Sequence, residues 1–339
     1  MANRRSMTMG TAVASIPLAL GLLAPAVKRG TGPSGSARPA AAATRGKAAP
    51  AKEFSVPLTN LRTWASSVVV TLNGVSIEGR SKVHKLADDC EMHFGAHTST
   101  FQGTPDGLVL EPMNTCVQPF PGKSEQDDKD WNAFGDQMVN STVTATGVPR
   151  IWPEHLEGGS ASNPDHAVEL HPLVAVNLKG VTFDFTPNIF EGDYEGGVGE
   201  QTALAIVRRT TVSVTRNGSL VDIAFRGGRI GNFTQLDVTI ERASIEPDGA
   251  GSFRMNGDVV LEDATTVPVR IVTVKGTRMN DVVAKMRASR RDILDLEALV
   301  LFSLSPEALL SAIDKSTNGR DVRVDRPIQL ILYGTSGDL

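Results

Sequence analysis

A chain of 339 residues, 40% hydrophobic and 21% charged, is long enough for two cores and has the balance of a soluble fold. Its net charge of −4 gives no sign of the concentrated Lys and Arg that a nucleic-acid backbone demands, which argues against a nucleic-acid partner. Aromatic residues make up only 5%, so Val, Ile, Leu and Ala must fill the core, which favours strands.

Residues 1–26 read as a signal peptide. Arg4 and Arg5 precede an apolar run, and Ala24-Pro25-Ala26 offers small residues for cleavage. An uncleaved N-terminal anchor is the alternative. Residues 27–52, rich in Gly, Ala, Pro and basic residues, have the composition of a disordered linker. The expected location is therefore secreted, periplasmic or cell-envelope, with no membrane span in the mature chain. In such an oxidising compartment Cys90 and Cys116, the only two cysteines, are expected to form a disulfide. A free nucleophilic Cys90 is the competing reading.

A first domain is expected over residues 53–182. Val68, Val70 and Leu72 share one parity of a strand, and Asn73-Gly74 supplies a turn signal. Residues 82–94 are expected as the next strand, with Leu86, Cys90, Met92 and Phe94 on one face and Asp89, Glu91 and His93 on the other. Residues 108–110 form a short apolar piece, and Trp131, Phe134 and Met138 have near-helical spacing. Residues 142–151 are β-branched and alternating, and residues 166–178 return as a strand. On that strand Glu169 and His171 share the face opposite Val168 and Leu170.

The run 143–148, the Pro153-Glu154-His155 loop and Glu169-Leu170-His171-Pro172 together give residues 67–178 a resemblance. The segment resembles the OB-type small β-barrel modules of uncharacterised secreted bacterial proteins. That resemblance implies a five-stranded barrel able to hold a ligand on one face. Barrels of this type that bind single-stranded nucleic acid present stacking aromatics and a basic groove. Here Asp89, Glu91 and Glu169 stand on the candidate faces, which argues against a nucleic-acid partner.

All six histidines lie between His84 and His171. His93 and His97 are four apart, but the intervening sequence is not helical and the glutamate of an H-E-x-x-H motif is missing. A second group contains His155, His166, Glu169 and His171, with Glu154 and Asp165 nearby. Imidazoles and carboxylates that converge in this way can bind zinc or another divalent ion. The candidate metal ligands are thus His93, His97, His155, His166 and His171, although no cofactor is required by the sequence. Solvated or structural roles are the simpler account of the same residues. No G-x-S-x-G elbow, dinucleotide fingerprint or P-loop occurs.

After a linker at 183–200, residues 201–339 are expected as an α+β domain. Strands are predicted over 202–214 and 220–225, joined by Arg216-Asn217-Gly218, and then over 236–245, 253–261 and 267–274. Asn256-Gly257 is read as a further hairpin turn. A helix is predicted from Asn280 or Asp281 through residue 301, and a second from Ser305 to about residue 318. Residues 326–333 close the set as a strand. The fold class is mainly β or α+β: an OB-like barrel, then an antiparallel sheet or sandwich with two late helices.

Three functions fit this reading. The first is a non-enzymatic extracytoplasmic binding or interaction protein, for a small molecule, glycan or protein. Its ligand face would carry Trp152, His155, Glu169, His171 and His93. The second is a metal-dependent hydrolase with Glu154 or Glu169 as general base. The third is a structural envelope protein.

Overall fold

The computed structural model describes residues 50–191, 197–227, 230–315 and 320–336. The expected signal peptide and most of the first linker lie outside these residues. Strand β1 (Lys52–Pro57) leads into helix α1 (Leu58–Ser66). Five strands follow: β2 (Val70–Arg80), β3 (Phe94–Thr98), β4 (Gly107–Leu110), β5 (Thr142–Ile151) and β6 (His166–Leu178). β2 pairs antiparallel with β3 and β5, β3 with β4, and β5 with β6. A parallel β4–β6 pairing closes the ring into a small OB-like barrel. Alternation drives the closure, since Leu72, Ile77, Phe94, Ala96, Leu108, Leu110, Val168 and Leu170 all enter one core. Helix α2 (Asp128–Met138) lies between β4 and β5 and buries Trp131, Phe134 and Met138. Asp127 caps it by accepting from Lys129 N.

Two expectations for this part change. Asn73-Gly74 does not reverse the chain: β2 runs through it, and the register shifts between Leu72 and Val75, where Gly74 has φ +65°. Residues 82–93 are not a strand either, because a turn at 86–89 and Cys90 at φ +57° interrupt the extended chain. Leu86, expected inside, is exposed. The Cys90–Cys116 disulfide is present and pins this segment to the chain beyond β4.

β7 (Val181–Asp184) extends the barrel sheet along β6. Helix α3 (Glu200–Arg209) and the hairpin β8 (Thr211–Asn217) and β9 (Leu220–Arg226) follow, with Gly218 at φ +62° in the expected turn. The first half of the predicted 202–214 strand is therefore helix. Ala203, Leu204, Ile206 and Val207 are buried with the spacing of one helical face. β1 pairs with β9, so the N-terminal strand sits in a sheet made mostly by the later half of the chain.

The C-terminal strands are β10 (Phe233–Glu241), the two-residue β11 (Glu246–Pro247), β12 (Phe253–Val260), β13 (Thr266–Thr273) and β14 (Ile293–Leu304). Helix α4 (Arg278–Ala288) lies between β13 and β14. Helix α5 (Pro306–Lys315) and the short β15 (Val322–Arg323), which pairs with β8, precede β16 (Ile328–Thr335). The strands expected as a sheet or sandwich close into a second five-stranded barrel. β10 pairs with β12 and β14, and β13 with β12. β16 pairs antiparallel with β14 and parallel with β13. This is the strand order of the first barrel, and again a helix separates the third and fourth strands.

Here too the structure corrects details. Thr277, rather than Asn280 or Asp281, caps α4 by accepting from Asn280 N. That helix ends at Ala288, and the expected continuation is strand β14, whose alternating Leu296, Ala298 and Val300 face the core. β12 runs unbroken through Asn256-Gly257. Ser305 caps α5 as expected, accepting from Ala308 N at 3.2 Å, while its predicted end near residue 318 lies outside the described residues.

The barrels meet along an apolar seam. Val272, Val274, Leu301, Ile331 and Tyr333 of the second cluster with Val68, Met113, Val148 and Ile189. Losing the disulfide through Cys90→Ser with Cys116→Ser should remove about 3 kcal/mol of stability, as expected for a loop of this size. Chemical denaturation of the double variant beside the oxidised parent measures the difference.

Candidate functional site

The alternation that fills the first barrel turns a second set of side chains outward, and several of them are charged yet buried. On β6 these are Glu169 and His171. Parallel pairing sets Val109 against Glu169, and just past β4 Glu111 N donates to Leu170 O at 3.1 Å. Glu111 therefore lies beside His171. On the other side of β6, Arg150 of β5 stands directly opposite Glu169. The segment leading into β3 adds Glu91 and His93. Glu91, Glu111, Arg150, His166, Glu169 and His171 are each at most 2% exposed, and His93 is 9% exposed.

Glu169 is fully engaged. Arg150 donates to one of its oxygens and His166 Nε2 lies 3.0 Å from the other, while His166 Nδ1 lies 2.7 Å from Pro164 O. Arg150 also donates to Glu154 Oε2 at 3.0 Å and to Phe302 O at 2.8 Å. Burial opposes every charge here, but the Arg150 guanidinium holds the Glu169 carboxyl well below the usual range, helped by His166. Glu169 and Glu154 likewise raise Arg150 against its desolvation. Glu169 also raises His166.

Glu91, Glu111 and His171 are not saturated in this way. His171 Nε2 is 2.8 Å from Glu91 Oε1, and its Nδ1 is 2.6 Å from Glu111 Oε2. Neither contact has hydrogen-bond geometry, and all four atoms are buried without a hydrogen-bond partner. Burial works against an imidazolium, yet the two carboxylates raise His171 well above its ordinary value. Burial pushes Glu91 up to about 8, while charges on His93 and His171 hold Glu111 down despite its burial and the nearby Glu169.

The other oxygens of the two carboxylates turn towards His93. Its Nε2 lies 3.4 Å from Glu111 Oε1 and 4.0 Å from Glu91 Oε2, and Glu91 Oε2 has no hydrogen-bond partner. Two ligands bonded to one ion at 2.0–2.2 Å in tetrahedral geometry stand about 3.4 Å apart. Glu91, His93 and Glu111 can therefore chelate a cation with a small adjustment. The contacts of 2.6 and 2.8 Å to His171 are too short to span an ion, so His171 stands beside the two carboxylates as a counter-charge rather than as a ligand. Glu111, Glu169 and His171 form a second group of suitable spacing, but Arg150 and His166 already occupy both oxygens of Glu169. Towards the surface, His84, Asp89 and His93 form a third.

The expected site residues divide accordingly. His93, Glu169 and His171 come together, and His166 joins them through Glu169. His155 stacks on His166, with ring centroids 5.1 Å apart, and its Nδ1 lies 3.4 Å from Asn163 Nδ2, so it stays outside the cluster. His97 is half-buried between Glu78 and Asp106, outside the cluster. Glu154 serves as a partner of Arg150. Trp152 is fully buried, stacked on Phe302 and donating to Gly231 O at 2.9 Å, so it offers no surface to a ligand. Sequence reasoning assigned no role to Glu111 or Arg150. The signal was available: each is a charge on an otherwise apolar or β-branched run, where a strand can hold it only if paired.

No family model matches the chain, nor does any curated protein or solved structure.

Two outcomes follow. Arg150→Ala leaves Glu169 buried without its cation and should cost about 3–5 kcal/mol, read by denaturant unfolding. In the metal-free chain, Glu91 holds a proton between its ordinary 4.5 and its folded value of about 8 that the unfolded chain releases. Its contribution is thus fully present below pH ~4.5 and is lost as pH rises towards 8. Melting between pH 5 and 8 should show a smaller alkaline loss for Glu91→Gln than for the parent.

Proposed function

We propose that this chain is an extracytoplasmic, non-enzymatic binding protein, and that its ligand is a divalent cation held by Glu91, His93 and Glu111. The observation that carries this reading is the cradle itself. Two buried carboxylates each turn one oxygen to His171 and the other to His93, and Glu91 Oε2 on the His93 side is buried without a hydrogen-bond partner. Buried charge is retained where it is paired or binds metal. A divalent ion would replace the proton on Glu91 and neutralise the pair. One imidazole and two carboxylates suit zinc or manganese better than a thiolate-seeking ion.

Binding is favoured over hydrolysis because a catalytic ion needs an open coordination position that substrate can reach. The ligand side chains here are at most 11% exposed. The 510 Å³ groove on the β1–β9–β8–β15 sheet is lined by Glu53, Ser55, Ser213, Thr215 and Asp222 among others, none of them from the cluster. The Cys90–Cys116 disulfide supports an exported location.

Metal analysis of the tag-free protein, followed by titration with zinc and manganese, tests this. One ion per chain is expected, and at about 100 times the dissociation constant it should add about 2.7 kcal/mol of stability. Glu91→Gln and His93→Ala should abolish that gain. A parent chain that takes up neither ion would sink the proposal.

A further inference from the structure

We propose that His84, Asp89 and His93 form a capture site that takes a divalent cation from solvent and passes it to the buried Glu91–His93–Glu111 site, with His93 common to both. This rests on the cation reading above and names how that site is loaded.

Three observations carry it. The two groups share one atom: His93 Nε2 lies 3.8 Å from Asp89 Oδ2 on the solvent side and 3.4 and 4.0 Å from Glu111 and Glu91 on the inner side. Exposure falls along the same line, with side chains at 23% for His84, 18% for Asp89, 11% for His93, 2% for Glu111 and 0% for Glu91. The outer ligands are also held ready. His84 Nδ1 is 2.7 Å from Asp89 Oδ1, which also accepts from Glu91 N at 3.2 Å, and the His84 and His93 rings meet edge-on at 4.5 Å.

A hydrated cation cannot shed its whole water shell in one step at low cost. The outer group supplies one carboxylate and two imidazoles while water still reaches the ion. The inner group supplies two carboxylates with almost none. Movement of the ion from Asp89 to Glu91 and Glu111, pivoting on His93, thus exchanges water ligands for fixed negative charge stepwise. Both groups draw on the short segment 84–93. It is tied to itself by His84 N donating to Glu91 O at 2.8 Å and to the barrel by the Cys90–Cys116 disulfide.

Rapid mixing with cobalt(II), whose visible absorption reports the ligand set, tests the order of events on the full oxidised chain. The shape-preserving Asp89→Asn should slow loading by about tenfold or more, the range over which local charge alters capture rates. His84→Ala, which removes an outer ligand, should slow it as well. The final stoichiometry and spectrum should match the parent. Glu91→Gln should leave a rapidly formed, weakly held ion with an altered spectrum. Loading of both outer variants at the parental rate would overturn the capture step while leaving the cation reading intact. So would loss of the final complex in both folded outer variants, since His84 and Asp89 would then belong to the holding site. A parent chain that takes up no cobalt, zinc or manganese would overturn both.

Discussion

A fully buried guanidinium is the joint on which this structure depends. Arg150 donates to Glu169 and Glu154 within the first barrel and to Phe302 O of the second. Beside it, Ile151 N donates to Ser303 Oγ, and Trp152 stacks on Phe302. The fourth strand of one barrel thus meets the fourth strand of the other through a charge, a hydrogen bond and an aromatic contact in three consecutive residues. Arg suits this place because its planar fork presents several donors in fixed directions. A lysine would supply the charge without the geometry.

The two barrels share a strand order but put their outer faces to different uses. On the third and fifth strands of the second barrel, Val272, Ile331 and Tyr333 form an apolar seam. On the corresponding strands of the first, Val109 is followed by Glu111, and Glu169 by His171. Apolar burial stabilises without directional demands. Buried charge stabilises little in itself, and removing one partner is costly. The first barrel therefore carries a buried charge cluster at a place where the second carries cohesion.

How the site is supported follows from that contrast. Glu169 is saturated by Arg150 and His166, and so acts as a fixed negative wall behind His171. His171 in turn stands between Glu91 and Glu111, whose remaining oxygens face His93. Only at His93 does the cluster approach solvent. Further along β3, Ala161 of the 152–165 loop lies so close to Gly95 that a side chain there would strike its carbonyl oxygen. That close packing is one reason the loop joining the last two strands can fold back against the barrel.

Period-two alternation in the sequence marked residues 142–151 and 166–178 as strands, because a strand must send alternate side chains to opposite faces whatever its neighbours are. The closed five-stranded ring was implied only by the resemblance to OB-type modules. Local sequence also determined that Glu169 and His171 share a face, that Cys90 and Cys116 have only each other to pair with, and that Ser305-Pro306 starts a helix. Residues 202–209 and 293–301 were ambiguous, since short apolar runs satisfy helix and strand periods alike until a partner strand or a packing face selects one. Only tertiary structure could bring Glu111 beside His171, through a parallel pairing between strands nearly sixty residues apart, which no local pattern encodes. It alone buried Trp152 against Phe302, separated His97 from the cluster and closed the second barrel. Each of these depends on which strands become neighbours, and that choice is made by the whole core.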